Sequence, residues 1–257
     1  MPLIHSIDDA EDPRLTLYRD VKDRDLTGRE GLFMAEGKVV IERLFRSKIC
    51  VPISVLTTPE RLNSLDISAL GDGVDVYVVS QAHMDTIAGF PIHRGYLALG
   101  KHTPPPILMV GLTAKARVLV LAGIANVDNM GGLMRNAAAF GVDMVILDGT
   151  CCDPLYRKAI RVSVGGVFEV PHYRVDNLLA TLRALDVKPY ALSPSGAMML
   201  DEVRPAERSA FLFGAEGPGL PAELMAACTT VRIDMHSGFD SLNVATTSGI
   251  VLYHMCR

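Results

Sequence analysis

The sequence predicts an α/β protein of two domains, the larger built on a mostly parallel sheet. Two observations carry that prediction. Strand-length runs that are apolar throughout, "RVLVLAG", "DMVIL" and "AFLFG", alternate with segments of helical apolar spacing, as strands do when both faces are buried and helices join them. A proline cluster in "GKHTPPPILMVGLTAKA" separates two such regions, as a linker does. With 257 residues, 49% of them apolar, the chain exceeds the usual single domain. The division is 1–100, a linker over 101–116, and 117–257.

In the first region "GKVVIERLFRS" carries an apolar stripe at helical spacing. "VPISVLT", "ERLNSLDISAL", "VDVYVVS", "QAHMDTIAGF" and "YLALG" then suggest alternating strands and helices of a small α/β domain. In the second, "RVLVLAG", a short helix "MGGLMRNAAAFG" ending at Gly141, and "DMVIL" form a βαβ unit. The segments "VFEVPHY", "NLLATLRAL", "KPYALS", "AFLFG", "PAELMAAC", "TVRIDM" and "LNVATTSGIVLYHM" continue the alternation.

Composition narrows the function. No apolar run reaches the ~20 residues that span a bilayer, and the start "MPLIHSIDDAEDPR" is acidic where a signal or transit peptide is basic; a cytoplasmic protein is expected. The five cysteines lack metal-ligand spacing, and their odd count points to reduced thiols. The seven histidines form no HExxH pattern, so no metal is expected. A net charge of −4 means that any site for a polyanion is a local patch.

Ligands of open α/β sheets sit beyond the carboxyl ends of strands. Three loops stand out there: "IANVDNMGGLMRNAA" with Asn126, Asp128, Asn129 and Arg135, "GAEGPGL" with Glu216, and "HSGFDSLN" with Ser241 and Asn243. Neither the GxGxxG of dinucleotide folds nor the GxxxxGK[ST] phosphate loop is present in its required context. Singly, each loop has a local explanation: turns that need glycine, helix caps at Asn129 or Ser241, a surface ion pair for Arg135.

Their order changes the reading. "NxxNxGxxxRxAxxFG", "FGxEGxGL" and "IxMxxxxxSLNVxxxxGIxLY", here Asn126–Gly141, Phe213–Leu220 and Ile233–Tyr253, resemble the three motifs of the SpoU or TrmH-type RNA 2′-O-ribose methyltransferases of the SPOUT superfamily. "RKAIRVSVGGVFEVP" and the amino-terminal "GLFMAEGKVVIERLF" extend the likeness over nearly the whole chain.

The resemblance implies a trefoil-knotted, mostly parallel sheet with a smaller N-terminal α/β RNA-binding domain like a small ribosomal protein. It implies S-adenosyl-L-methionine as methyl donor, a homodimer with composite active sites, and rRNA more than tRNA as partner. It assigns donor contacts to Leu192, Gly214, Ile233, Met235 and Leu242, and catalysis to Arg135, Asn129, Glu216, Ser241 and Asn243, with Ser241 bonding substrate or capping the last helix. The small residues Ala245 to Ser248 would let that helix pack against the knot and the partner chain. RNA capture falls to Arg14, Arg19, Lys22, Arg24 and Arg29, interleaved with acids that also suit a plain solvated face. A base methyltransferase of the same superfamily and a non-catalytic RNA-binding assembly factor are the alternatives; the joint presence of the polar residues favours ribose chemistry.

Overall fold

The computed structural model describes residues 1–19, 31–89, 95–107, 112–236 and 239–256. Lys22, Arg24 and Arg29 lie outside them. The chain divides into two compact units, Met1–Thr103 with Leu155–Glu169, and Pro104–Pro154 with Val170–Arg257.

The first unit is a mixed sheet. In chain order it contains β1 (Leu3–Ser6), β2 (Leu32–Glu36), α1 (Lys38–Phe45), β3 (Cys50–Thr57), α2 (Pro59–Leu62), β4 (Asp75–Val78), α3 (Gln81–Ala88) and β5 (Tyr96–His102). The strand order is β1-β4-β3-β5-β2, with β5 antiparallel to both neighbours. Gly37, at φ 93°, turns the chain from β2 into α1, whose Val40, Ile41, Leu44 and Phe45 are buried at helical spacing. α3 begins at the Ser80 cap, whose Oγ accepts the His83 N–H at 3.2 Å, and ends at left-handed Gly89.

The second unit is parallel throughout. It comprises β6 (Ala116–Leu121), α4 (Val127–Ala139), β7 (Met144–Leu147), then, after α5 (Arg157–Val162), β8 (His172–Arg174), α6 (Leu178–Ala184), β9 (Lys188–Leu192), β10 (Met198–Met199), β11 (Arg208–Phe213), α7 (Ala222–Ala226), β12 (Thr229–Arg232) and α8 (Val244–Met255). The order is β10-β12-β9-β11-β6-β7-β8, every neighbouring pair parallel. Val118, Val120, Ile146, Ala210 and Leu212 share one face with Leu178 and Leu182 of α6 and Leu224 of α7. The alternate residues Leu119, Leu121, Val145, Leu147, Phe211 and Phe213 are equally buried, which explains strands that read as unbroken apolar runs.

α4 starts three residues before the predicted Met130, because the Asn126 side chain accepts the N–H groups of Asp128 (2.8 Å) and Asn129 (3.2 Å). It stops before Gly141, at φ 68°. α4 packs closely on α8: a Cβ on Gly132 would lie 2.6 Å from that of Ala245. Asn136 Nδ2 donates to Ala245 O (2.7 Å) and Ser248 Oγ (2.8 Å). Ala245 and Ser248 thus serve a helix pair within one chain.

Residues 155–169 pack with the first unit, although the sequence places them in the second region. Phe168 stacks on Phe33 with ring centres 5.1 Å apart, and Ser47 Oγ donates to Phe168 O at 2.6 Å. "VFEVPHY" is therefore split between a 3₁₀ turn at Gly166–Phe168 and the strand β8.

His172 in β8 is buried, and burial holds its imidazole down at about 4 from an ordinary 6.5, with the Val170 carbonyl opposing that shift and Arg174 adding to it. Between those two values the unfolded chain takes up a proton that the folded chain refuses. Stability is therefore expected to fall as pH drops from about 6.5 to about 4, by on the order of 3 kcal/mol. Circular dichroism in urea, the probe suited to a chain without tryptophan, should show that decline and its flattening in His172→Gln.

Candidate functional site

A parallel sheet delivers the loops after all its strands to one edge, and β6, β11, β9 and β12 are successive neighbours there. The loops after the last three enclose a cavity of about 700 Å³. Leu192 and Pro194 form one wall, Gly214 and Glu216 another, Ile233 and Met235 a third, and Ser241, Leu242 and Asn243 close it on the approach to α8. Leu192, Gly214, Ile233, Met235 and Leu242, the residues singled out for ligand contact, thus line one space.

The glycines of the 214–220 loop have separate tasks. A Cβ on Gly214 would sit 2.3 Å from the Gly219 carbonyl carbon, so the loop's two limbs touch through backbone alone. Gly217 and Gly219 take φ 87° and 70°, and Gly219 N–H closes the turn on Ala215 O at 3.0 Å. Gly123, at φ 74°, admits Ala215 against the loop after β6, its would-be Cβ 3.1 Å from that of Ala215. Asp148 fastens the same region, accepting the N–H groups of Gly123, Thr150 and Cys151, each at 3.0 Å. Partial burial raises its carboxyl, but these bonds and that of the Thr150 hydroxyl outweigh it and hold the group below the usual carboxylate range.

Three side chains, from the first turn of α4, the 214–220 loop and the start of α8, meet at the cavity's polar side. Asn129 Nδ2 donates to Glu216 Oε1 at 2.7 Å. Asn243 Nδ2 donates to Asn129 Oδ1 at 2.8 Å and lies 3.4 Å from the same Glu216 oxygen. Asn243 Oδ1 accepts the N–H groups of Ala245 (2.9 Å) and Thr246 (3.2 Å), so Asn243 is the cap of α8. This corrects the capping role considered for Ser241, which stands two residues too early to reach those groups and instead lines the cavity. Asn129 is likewise no cap; that position is Asn126.

Arg135 is exposed on α4 and does not line the cavity. Six residues past Asn129, it stands about 240° around the helix and ~9 Å along it, away from the face that carries Asn129 to Glu216. In the first unit Arg14 is clamped on Asp12 (Nε–Oδ1 3.0 Å, Nη2–Oδ2 2.6 Å), which holds that carboxyl down at about 2. Arg19 donates to the carbonyls of Ala10 and Asp12 and pairs with Glu11 at 3.1 Å. The five cysteines are free thiols. Among the described residues no cluster of three His, Cys, Asp or Glu side chains could hold a metal, and no helix is long and apolar enough to cross a membrane.

Residues 116–253 match the model of the SpoU rRNA Methylase family. The chain belongs to this family. It is 38% identical to an uncharacterized tRNA/rRNA methyltransferase of Mycobacterium tuberculosis, over 99% of this chain and 92% of that protein. It is 24% identical to the 23S rRNA (guanosine(2553)-2′-O)-methyltransferase RlmP of Bacillus subtilis, over 97% of this chain and 98% of the relative. The fold matches that of an AdoMet-bound rRNA methyltransferase of Sinorhizobium meliloti with a TM-score of 0.81 at 23% identity, covering 98% and 97% of the two chains.

In this SpoU-family chain the sequence reading does not reach Phe213, Val231 and Thr247, which also line the cavity. Thr247 had a usable signal, since it lies one turn past Asn243 and its hydroxyl donates to that residue's carbonyl at 3.0 Å.

The polar set makes a stability prediction. Asn129→Ala removes the donor and leaves polar groups unpaired, at a cost of about 1–3 kcal/mol. Asn129→Asp puts a second carboxylate against Glu216 and should melt at a lower temperature still. A melting curve in which the aspartate variant equals or exceeds the alanine variant would show that the contact is not made.

Proposed function

We propose that this chain transfers a methyl group from S-adenosylmethionine to a ribose 2′-hydroxyl of structured RNA, ribosomal RNA in particular. The observation that carries the reading is the hydrogen-bonded set of Asn129, Glu216 and Asn243 beside the loop-built cavity, in a chain of the SpoU family. Relatives named as 23S rRNA 2′-O-methyltransferases support both ribose and ribosomal RNA.

The residues present fit the donor. A cavity of about 700 Å³ is of the size that encloses such a molecule. Leu192, Ile233 and Leu242 offer apolar walls for a purine. The 214–220 loop, too close-packed for a Cβ at Gly214, presents backbone carbonyl and N–H groups for hydrogen bonds. When bound, S-adenosylmethionine supplies a methyl group carried on a positively charged sulfur.

The chain's own residues then have to position a hydroxyl oxygen and ease its ionisation. Glu216 fixes both amides, whose bonds to one another and to the start of α8 occupy Asn243 fully, so that the Ser241 hydroxyl on the cavity wall is the group left to face the ribose. Arg135 serves as an organiser rather than as a base: its planar fork grips the adjacent phosphate and stabilises negative charge developing on the 2′-oxygen. Its place on the far side of α4 supports a site completed by a second copy of the chain, which also accounts for the exposed Ile250 and Tyr253 on α8. The trefoil knot of the family, with Ile233–Met235 and Ser241–Asn243 beside the 214–220 loop, is part of the same proposal.

Unmodified ribosomal and transfer RNA transcripts incubated with methyl-labelled donor should yield label in 2′-O-methylnucleosides, whose 3′ linkages resist alkali because the attacking hydroxyl is blocked. Label in a base, or none, would overturn the reading. Arg135→Ala should abolish turnover while donor affinity stays within about twofold, less than 0.5 kcal/mol. Mixing Arg135→Ala with Glu216→Ala chains should restore turnover that neither shows alone; no recovery in verified mixed dimers would refute the shared site.

A further inference from the structure

We propose that the first unit holds a separate nucleotide-binding site for RNA, in a cavity of about 570 Å³ where Lys38, Arg61 and Arg161 surround the edge of Tyr96. The proposal rests on the reading that the substrate is RNA, and concerns a contact distinct from the methyl-transfer cavity. Its three cations come from α1, α2 and α5, so that the segment 155–169, by packing into this unit, completes the basic rim.

The charge here is available, unlike that of several other cations of the unit. Arg14 and Arg19 are spent on Asp12 and Glu11, and Arg43 and Arg46 stand 3.5 and 4.0 Å from Glu169 and Asp66. Among the described residues, Lys38 has only Glu42 at 3.8 Å, one turn along the same helix. Among the described residues, Arg61 and Arg161 have no carboxylate within ion-pair distance. In a chain of net charge −4, such a pair of unneutralised arginines in one concavity is where a polyanion is held.

The cavity is also shaped for more than a point charge. The Arg61 guanidinium lies over the Tyr96 ring, 5.9 Å from its centre. That ring is fixed by a 2.6 Å bond between its hydroxyl and Ser64, and the Arg61 stem lies so close to Gly95 that a Cβ there would meet it at 2.9 Å. A guanidinium held in this way offers a fork to phosphate and a flat face to a base. Val39, 55% exposed, and Val164 supply apolar wall for a sugar or base.

Val164 shapes the far rim of the cavity. It takes φ 55°, in the left-handed region that a β-branched residue avoids, immediately before Gly165 at φ 78°. That turn ends α5, with Gly165 N–H donating to Ile160 O and Val164 N–H to Arg161 O, both at 3.0 Å, and it places Val164 on the border of the cavity. Phosphate, a planar base and an apolar sugar edge together describe a nucleotide of an RNA strand better than they describe an acidic peptide.

The test uses the full chain and protein-free total ribosomal RNA, with filter binding measured over a series of salt concentrations. Replacing Arg61 and Arg161 together by glutamine should weaken binding roughly tenfold or more and reduce the slope of log affinity against log salt by about 2. Lysine at both positions should keep most of the slope and lose part of the affinity. Both arginines are exposed, so unchanged donor affinity and melting temperature will certify the fold of each variant. An unchanged slope and affinity in the glutamine variant, or no RNA binding by the wild type, overturns the proposal. Methyl transfer by the wild type with an unaltered KM for RNA in the glutamine variant would sink this site and leave the methyltransferase reading standing; variant-sensitive binding without any methyl transfer would do the reverse.

Discussion

One carboxylate oxygen holds the second unit's site together. Glu216 Oε1 accepts the Asn129 amide at 2.7 Å and has the Asn243 amide at 3.4 Å, while those two residues bond each other at 2.8 Å. Asn129 is buried, so its amide cannot fall back on water, and an unmade bond there costs about 1–3 kcal/mol. Asn243 is bound on its other side as well, since its oxygen starts α8. The start of the last helix and the geometry of the polar set are therefore one constraint: moving Asn243 relative to Glu216 uncaps the helix, and uncapping the helix loosens the set.

That constraint can be met because the sheet is parallel. With β6, β11, β9 and β12 adjacent and running the same way, residues 87 and 114 positions from Asn129 reach it without a long excursion. Close packing does the rest. Gly214 and Gly132 each admit a neighbour to within a distance that a Cβ would forbid, and Gly123 to one that a Cβ would crowd, drawing the 214–220 loop onto itself, α4 onto α8, and the loop after β6 onto Ala215.

Much of this was legible in the sequence because the interactions leave local marks. Buried parallel strands read as apolar runs, and the polar residues of the three motifs stand in fixed order after them. What escaped lacks such marks. β1 is an edge strand whose Leu3 and Ile4 are half exposed, so it shows no alternation between a buried and a solvated face. Residues 155–169 have a strand-like apolar pattern in "VFEV", yet Val167 and Phe168 are buried in a 3₁₀ turn of the other unit, and only the partner ring of Phe33 explains why. Ser241 and Asn243 are equally good capping types; which of them caps is decided by where the helix axis begins. The basic cavity is the extreme case, for Lys38, Arg61 and Arg161 come from three separate segments and become neighbours only on folding.

The two proposed contacts with RNA, one in each unit, would answer a difficulty posed by the chain's charge. An acidic protein gains little from diffuse attraction to RNA, and a single phosphate contact in water is weak. Two weak contacts borne on one chain act together, because engaging the first raises the local concentration of RNA at the second. The chain passes between the units three times, after Thr103, Pro154 and Glu169, and beside the first passage Tyr173 donates to the Pro105 carbonyl at 2.7 Å. That gain would depend on the spacing of the two RNA elements. A free nucleotide can satisfy either contact and never both. Selection of a large folded RNA over the abundant small anions of a cell then follows from spacing, with neither contact needing high affinity of its own.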